Sequence, residues 1–321
     1  MVPLSLLDLA LIGPGESARD AFANSVKIAR AAEDLGYRRV WYAEHHNMSS
    51  IASSATSVLI EHIASKTKSI RVGAGGIMLP NHSPLVIAEQ FGTLEALHPG
   101  RIDLGLGRAP GTDPTTTRAL RRSHTSADTF PEDVLELRAY LAGHTRVPGV
   151  NATPGRGANV PLYILGSSLF GAKLAATLGL PYAFASHFAP QALEEAVTIY
   201  RRDFRPSMQL EAPYVIAGLT VIASTSTEDA EAQLHLVKRA RVRTLLAQGR
   251  PVTDDEADDL MQSPAGQQLS QMLTYAAIGT RAEVHAYLEK FVAHCGADEI
   301  MALAPSPSID ARLRSIELLA R

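Results

Sequence analysis

Short apolar runs alternate with longer segments of helical periodicity from one end of the 321-residue chain to the other. That alternation predicts parallel βα units. Eight runs read as strands, at residues 4–9, 39–43, 70–79, 101–107, 162–165, 182–186, 215–223 and 300–304. Between them the pattern is helical: Phe22, Val26 and Ala29 share one face of a helix after the first strand, and a helix with Val58, Leu59 and Ile63 follows the second. The punctuation agrees. Ser17 with Asp20 three residues on has the form of a capping box, Gly36 stands where a helix would end, and Pro84 suits a first helical turn.

Two stretches break the rhythm. Residues 108–129 hold Pro110, Gly111, Pro114 and many Ser and Thr, which predicts an inserted loop after the fourth strand. Residues 227–294 are nearly all helical in pattern, with interruptions near Pro251 and Pro264. They are longer than one crossover needs and predict a helical insertion between strands seven and eight. The expected fold class is α/β, a (β/α)8 TIM barrel forming one domain over residues 1–321. An open doubly wound sheet with a cap is the rival arrangement. The barrel is favoured because strands are spread over the whole chain and no dinucleotide-binding signature opens it.

Composition narrows the function classes. Net charge is −3, and no run of Lys or Arg exceeds two residues, so neither a nucleic-acid surface nor a polybasic membrane anchor is indicated. Cys295 is the only cysteine, which excludes an internal disulfide and a cysteine-based metal site and fits a reducing compartment. The start, Met1-Val2-Pro3, lacks the basic region of a signal peptide, and no apolar run approaches the roughly 20 residues of a membrane span. A cytoplasmic protein is the expectation.

In a barrel, chemistry collects where strands end, and four strand ends here are unusual. Glu44-His45-His46 follows strand two. Adjacent strand residues point to opposite faces, so one histidine at most aims into the mouth, and parity does not say which. An ordinary polar loop would account for them as well; a metal site is disfavoured, because the pair lacks the spacing that puts two imidazoles on one face. Gly73, Gly75 and Gly76 lie within strand three. Strand glycines mark close approach of a ligand or of another backbone, and Asn81 and His82 follow and could line the same mouth.

Gly105-Leu106-Gly107-Arg108 ends strand four; Gly107 leaves room and Arg108 offers a fixed cation suited to a phosphate. A dinucleotide fingerprint fails here, since Gly111 falls one place late and Pro110 and Pro114 oppose a helix. Gly166-Ser167-Ser168 ends strand five ahead of a helix, which is either an ordinary N-cap or a phosphate site. A nucleophilic serine is disfavoured because the elbow spacing of glycines around it is absent. Together these residues suggest a large, flat, phosphorylated ligand with histidine near its reactive part.

The order of Glu44-His45-His46, residues 71–80, residues 100–108 and Gly166-Ser167-Ser168 resembles the bacterial luciferase-like flavin-dependent monooxygenases, most strongly over residues 1–110. The resemblance implies a (β/α)8 barrel and an FMN site at the strand ends. It implies that His45 is the catalytic histidine, with Asn81 and His82 as secondary candidates. Gly75 and Gly76 would pack against the flavin, often through a non-prolyl cis peptide, with Gly107 beside it. Arg108, Gly166, Ser167 and Ser168 would hold the phosphate, assisted by backbone at Phe170-Gly171.

The implied chemistry is that of a two-component oxidoreductase. A separate NAD(P)H:flavin reductase supplies FMNH2, which reacts with O2 to give a flavin-4a-hydroperoxide that oxygenates a small organic substrate. The luciferase catalytic subunit has a reactive cysteine where this chain has Gly107, which argues against light emission. The resemblance also implies a homodimer. The alternatives are a deazaflavin-dependent hydride-transfer enzyme of the same superfamily and a non-catalytic flavin-binding protein. Residues 109–130 and 249–277 are expected to shape the pocket.

Overall fold

The computed structural model describes residues 2–247 and 250–320. Along the chain the elements are β1 (Leu4–Asp8), α1 (Ala18–Asp34), β2 (Arg39–Tyr42), α2 (Thr56–Ala64), β3 (Arg71–Met78), α3 (Pro84–Leu97) and β4 (Ile102–Gly107). Then come α4 (Pro114–Ala119), α5 (Phe130–Leu141), β5 (Leu162–Gly166), α6 (Leu169–Leu178), β6 (Tyr182–Phe184), α7 (Leu193–Asp203) and β7 (Val215–Ser224). The last are α8 (Thr227–Leu246), α9 (Asp254–Gln262), α10 (Pro264–Gln271), β8 (Ala276–Thr280), α11 (Arg281–Cys295), β9 (Glu299–Leu303) and α12 (Ile309–Ala320).

Strands β1 to β7 pair in sequence order, and β9 joins β7 to β1, so eight parallel strands close a ring. These are the eight runs that the apolar pattern picks out. The ends of α1 match their sequence signals: Ser17 and Asp20 form a capping box, and Gly36 just beyond has a positive φ of 79°. An L side chain rarely adopts that conformation.

The inserted stretches depart from expectation in two places. Residues 108–129 are not all loop, because α4 starts at Pro114 with the Asp113 carboxylate accepting from the amides of Thr115 and Thr116. Proline at the first helical position loses no hydrogen bond, so Pro114 starts a helix there instead of opposing one. Residues 227–294 are not all helical either. The ten-residue β7 pairs with β9 over Ile216–Thr220, and β8 takes the part of the same edge that projects further, Thr220–Ser224. β8 therefore lies outside the ring, and the helical insertion α8 to α10 precedes it. Among the described residues no helix is long and apolar enough to cross a membrane.

Inside the ring, Leu7, Trp41, Tyr163, Ala183, Ile216 and Met301 form one apolar layer, with Trp41 and Tyr163 edge to face at 4.9 Å. Beneath it, toward the strand starts, charges fill the barrel. Arg39 donates to Asp103 Oδ2 at 2.7 Å, to the Tyr163 hydroxyl at 2.6 Å and to Glu299 Oε2 at 3.3 Å. Trp41 Nε1 donates to the same Asp103 oxygen at 3.0 Å, and Ser5 donates to Glu299 Oε1 at 2.6 Å. Burial alone would weaken the Arg39 charge, but the two carboxylates more than reverse that. This network plugs the floor and leaves the opposite end, where the strands finish, as the open one.

Candidate functional site

A cavity of about 440 Å³ opens at the C-terminal ends of the strands. Leu7, Trp41, Ile216 and Met301 of the apolar layer form its base. His45, Gly75, Gly76, Gly107, Arg108, Gly166, Ser167, Ser168 and Gly171, all singled out in the sequence, line it together. Asn81 and His82 are not among its lining residues.

The parity question at the end of β2 is settled by Glu44. Its buried carboxylate turns away from the cavity. His46 Nε2 lies 2.8 Å and His82 Nε2 2.9 Å from Oε1, Asn81 Nδ2 donates to Oε1 at 3.3 Å, and the Met78 amide donates to Oε2 at 3.0 Å. Burial pushes the Glu44 pKa up, yet these hydrogen bonds, those of His82 foremost, bring it below the ordinary carboxylate value. His45 then takes the other face. Its amide donates to the Ser53 carbonyl at 3.1 Å, and the Ser53 hydroxyl is bonded back to the Ala43 carbonyl at 2.5 Å. Its buried Nδ1 has no partner. Burial lowers the imidazole pKa and His46 adds to that, while Glu44 opposes it. A neutral imidazole facing an apolar cavity can take a proton and, once protonated, return it.

The glycines of β3 are placed by the protein itself as much as by any ligand. A Cβ at Gly75 would lie 2.8 Å from Trp41 Cβ, one at Gly76 2.7 Å from the Gly105 carbonyl oxygen, and one at Gly73 2.5 Å from the Asp103 backbone oxygen. Only Gly75 and Gly76 reach the cavity. There the β3–β4 register shifts, and the Gly75–Gly76 peptide is cis.

At the neighbouring ends of β4 and β5, Ser168 is the N-cap of α6 yet makes no side-chain cap bond. The Arg108 guanidinium lies 4.2 Å from the centre of the Phe170 ring. Two hydroxyls, a helix N-terminus and a stacked cation are the donor set of a phosphate site. Together with the side-chain-free surface of Gly75 and Gly76, that set fits a flavin mononucleotide.

Two residues of the cavity carry no sequence signal of their own. His187, just past β6, lines the wall with Arg241 of α8. Burial, then Arg241, then His45 depress the His187 pKa to about 4, so this ring is neutral near pH 7. Its Nδ1 and the Nη1 of Arg241 are both buried without a partner. Arg241 belongs to a run of arginines at alternate positions 239, 241 and 243 of α8, which by sequence alone are not told apart. Of the two segments expected to shape the pocket, the first contributes Ala109, Gly111 and Phe130, and no described residue from 250–277 lines it. Gly249, where that second segment starts, lies outside the described residues.

The profile of the family described as luciferase-like monooxygenase matches residues 3–299. A luciferase-like monooxygenase of Escherichia coli (strain K12) is 49% identical over 321 residues, covering 99% of this chain and 96% of the relative. An N-acetyl-S-alkylcysteine monooxygenase of Bacillus subtilis (strain 168) is 38% identical over 270 residues, covering 78% and 76%. The crystal structure of apo-MsnO8 superposes with a TM-score of 0.89 at 34% identity, covering 100% of this chain and 98% of that one. Solved structures that share the fold at lower identity include the oxygenating constituent of a 3,6-diketocamphane monooxygenase in complex with FMN (17% identity, TM-score 0.73) and an F420-dependent secondary alcohol dehydrogenase (15% identity, TM-score 0.72).

Proposed function

From the premise that the chain belongs to the luciferase-like monooxygenase family, and is thus a flavin-dependent monooxygenase, we propose that it is the oxygenating component of a two-component system. It takes FMNH2 from a separate NAD(P)H:flavin reductase and uses O2 to oxygenate a small organic substrate. The observation that carries this reading is the convergence of His45, the Gly75–Gly76 surface and the Arg108, Ser167 and Ser168 donors on one apolar cavity.

When bound, reduced flavin supplies the electrons that activate O2. The protein's part is to bind, orient and keep dry. Arg108 and the two hydroxyls, with Gly166, Gly171 and the first amides of α6, hold the phosphate. Gly75, Gly76 and Gly107 leave room for the flat ring system. The apolar base excludes water, which would otherwise divert reduced oxygen to H2O2. His45, which lines the cavity, moves or holds the proton at the reacting edge. Asn81 and His82 act through Glu44 and are positioning residues, since they fix the end of β2 that carries His45.

The same reading places the protein in the cytoplasm as a homodimer. Exposed apolar side chains on adjacent helices, Val58 of α2 (69% exposed) and Val86 and Leu97 of α3, support a covered face there. The test is to mix anaerobic protein and photoreduced FMN with oxygenated buffer in a stopped-flow spectrometer. Return of oxidised FMN absorbance should be clearly slower than without protein. Return at the protein-free rate, with no affinity for reduced FMN, would pass the reading to a deazaflavin-dependent hydride-transfer enzyme.

A further inference from the structure

Helix α8 carries arginines at alternate positions, and they have different partners. Arg239 donates from Nε to Asp258 Oδ1 at 2.7 Å and pairs through Nη1 with Asp254 Oδ2 at 3.0 Å. Arg243 pairs with Asp254 and donates from Nε to the Val252 carbonyl at 3.2 Å. His235 adds a contact with Asp258 at 3.1 Å. Residues four apart on a helix share a face, whereas two residues turn it by about 200°. The α9 carboxylates therefore grip Arg239 and Arg243 and, in doing so, fix the rotation that turns Arg241 into the cavity.

Arg241 finds no counter-charge there. Among the described residues it makes no hydrogen bond or ion pair, its Nη1 is buried, and no Asp or Glu lines the cavity. A guanidinium taken out of water without an anion is costly. The other cation of the cavity, Arg108, stacks on Phe170 beside the α6 N-terminus, where it is committed to the phosphate. Arg241 comes from α8, which packs on β7 and β8, whereas Arg108 follows β4. The cation therefore reaches the cavity beside His187, from a different strand end than the phosphate donors, and the surrounding surface is largely apolar.

We propose that Arg241 is the specificity-determining residue that receives a carboxylate of the substrate, so that the enzyme acts on small organic acids with an apolar body. The planar guanidinium matches a carboxylate in two-point geometry. His187 lines the cavity with it. The assignment rests on the oxygenase reading of the same cavity, but it concerns a different ligand and a different wall.

The test compares octanoate and phenylacetate, each with its own carboxamide, by calorimetric titration of the unliganded and the FMN-loaded protein. Acid and amide match in size, so their ratio isolates the charge. The wild-type chain should prefer at least one acid over its amide by about tenfold or more, equivalent to about 1.4 kcal/mol. Arg241→Met, which keeps the apolar stem, should bring that ratio to within about twofold of unity, and Arg241→Lys should keep part of it. FMN affinity, oxidised or reduced, should be unchanged in both variants. The proposal is overturned if no acid is preferred by the wild-type chain, or if the preference survives in Arg241→Met. It is also overturned if Arg241→Met weakens reduced FMN and leaves the acid-to-amide ratio intact, because the guanidinium then serves the flavin. Failure of the wild-type chain to bind FMN would count against the oxygenase reading alone, since the unliganded titration still decides the role of Arg241.

Discussion

The His187 ring occupies the space that a side chain at Gly218 would need: a Cβ there would lie 2.1 Å from Nδ1. The neighbouring Ser186 hydroxyl donates to the Gly218 carbonyl at 2.6 Å and clamps the end of β6 to the middle of β7. The glycine is thus the seat of the histidine, and the clamp keeps the two strands from parting to make room.

Gly218→Ala should therefore displace the ring or spread the strands, at a cost of about 1–3 kcal/mol typical of an overpacked core. In a His187→Ala background the same substitution should cost much less, because the space is then free. Urea denaturation of the four proteins in this cycle measures the difference. Additive losses would mean that the two residues do not compete for that space.

The same ring gives the stability a pH dependence. Its folded pKa of about 4 lies below the unfolded value near 6.5. As pH falls from about 6.5 to about 4, the unfolded chain takes up a proton that the folded chain refuses, and stability falls. The contribution is complete above pH about 6.5. His187→Gln should lose less stability than the wild-type chain across that window, and histidine-resolved NMR should find one ring still neutral at pH 5. Titration of that ring near 6.5 would contradict the burial argument.

How much of this was legible beforehand depends on where the information lies. The ring strands were readable because buried apolar residues dominate them, as in residues 215–224 of β7, even where Arg39, Asp103 or Glu299 interrupts the run. β8 was not, because Ala276–Thr280 is short, only alternately buried, and runs straight into the capping box of Thr280 and Glu283. His45, Arg108 and Ser167-Ser168 were legible as strand ends. Arg241 was not: three alternating arginines look alike until Asp254 and Asp258 of α9 claim two of them. His187 lacked any neighbouring motif, and only the contact with Gly218 marks it. The glycines of β3 were legible as points of close approach, but the approaching groups are also Trp41, Gly105 and Asp103.

The stacked pair Arg108 and Phe170 makes a prediction about the phosphate end. With its guanidinium carbon held 4.2 Å from the ring centre, Arg108 is positioned before a ligand arrives, so its loss should be felt through the phosphate alone. Arg108→Ala should weaken FMN by about tenfold or more and change riboflavin affinity by less than about threefold. Fluorescence titration with both ligands checks it, and equal weakening would remove Arg108 from the phosphate site.

His45 lines the cavity, on the opposite side of the β2 end from the Glu44 cluster. Its removal leaves that cluster and the phosphate end untouched, so His45→Ala should fold and bind FMN within about threefold of the wild-type chain. Without a group to handle the proton, oxygen transfer should fail at a step where general acid–base catalysis contributes about a hundredfold or more. Reduced FMN would then be consumed with H2O2 as the product, so the yield of oxygenated product per FMNH2 should collapse while peroxide rises to balance it. A peroxide assay alongside product analysis separates this from a loss of binding, in which both would change only with FMN concentration. An unchanged product yield would mean that the proton is handled elsewhere in the cavity, with His187 the next residue to test.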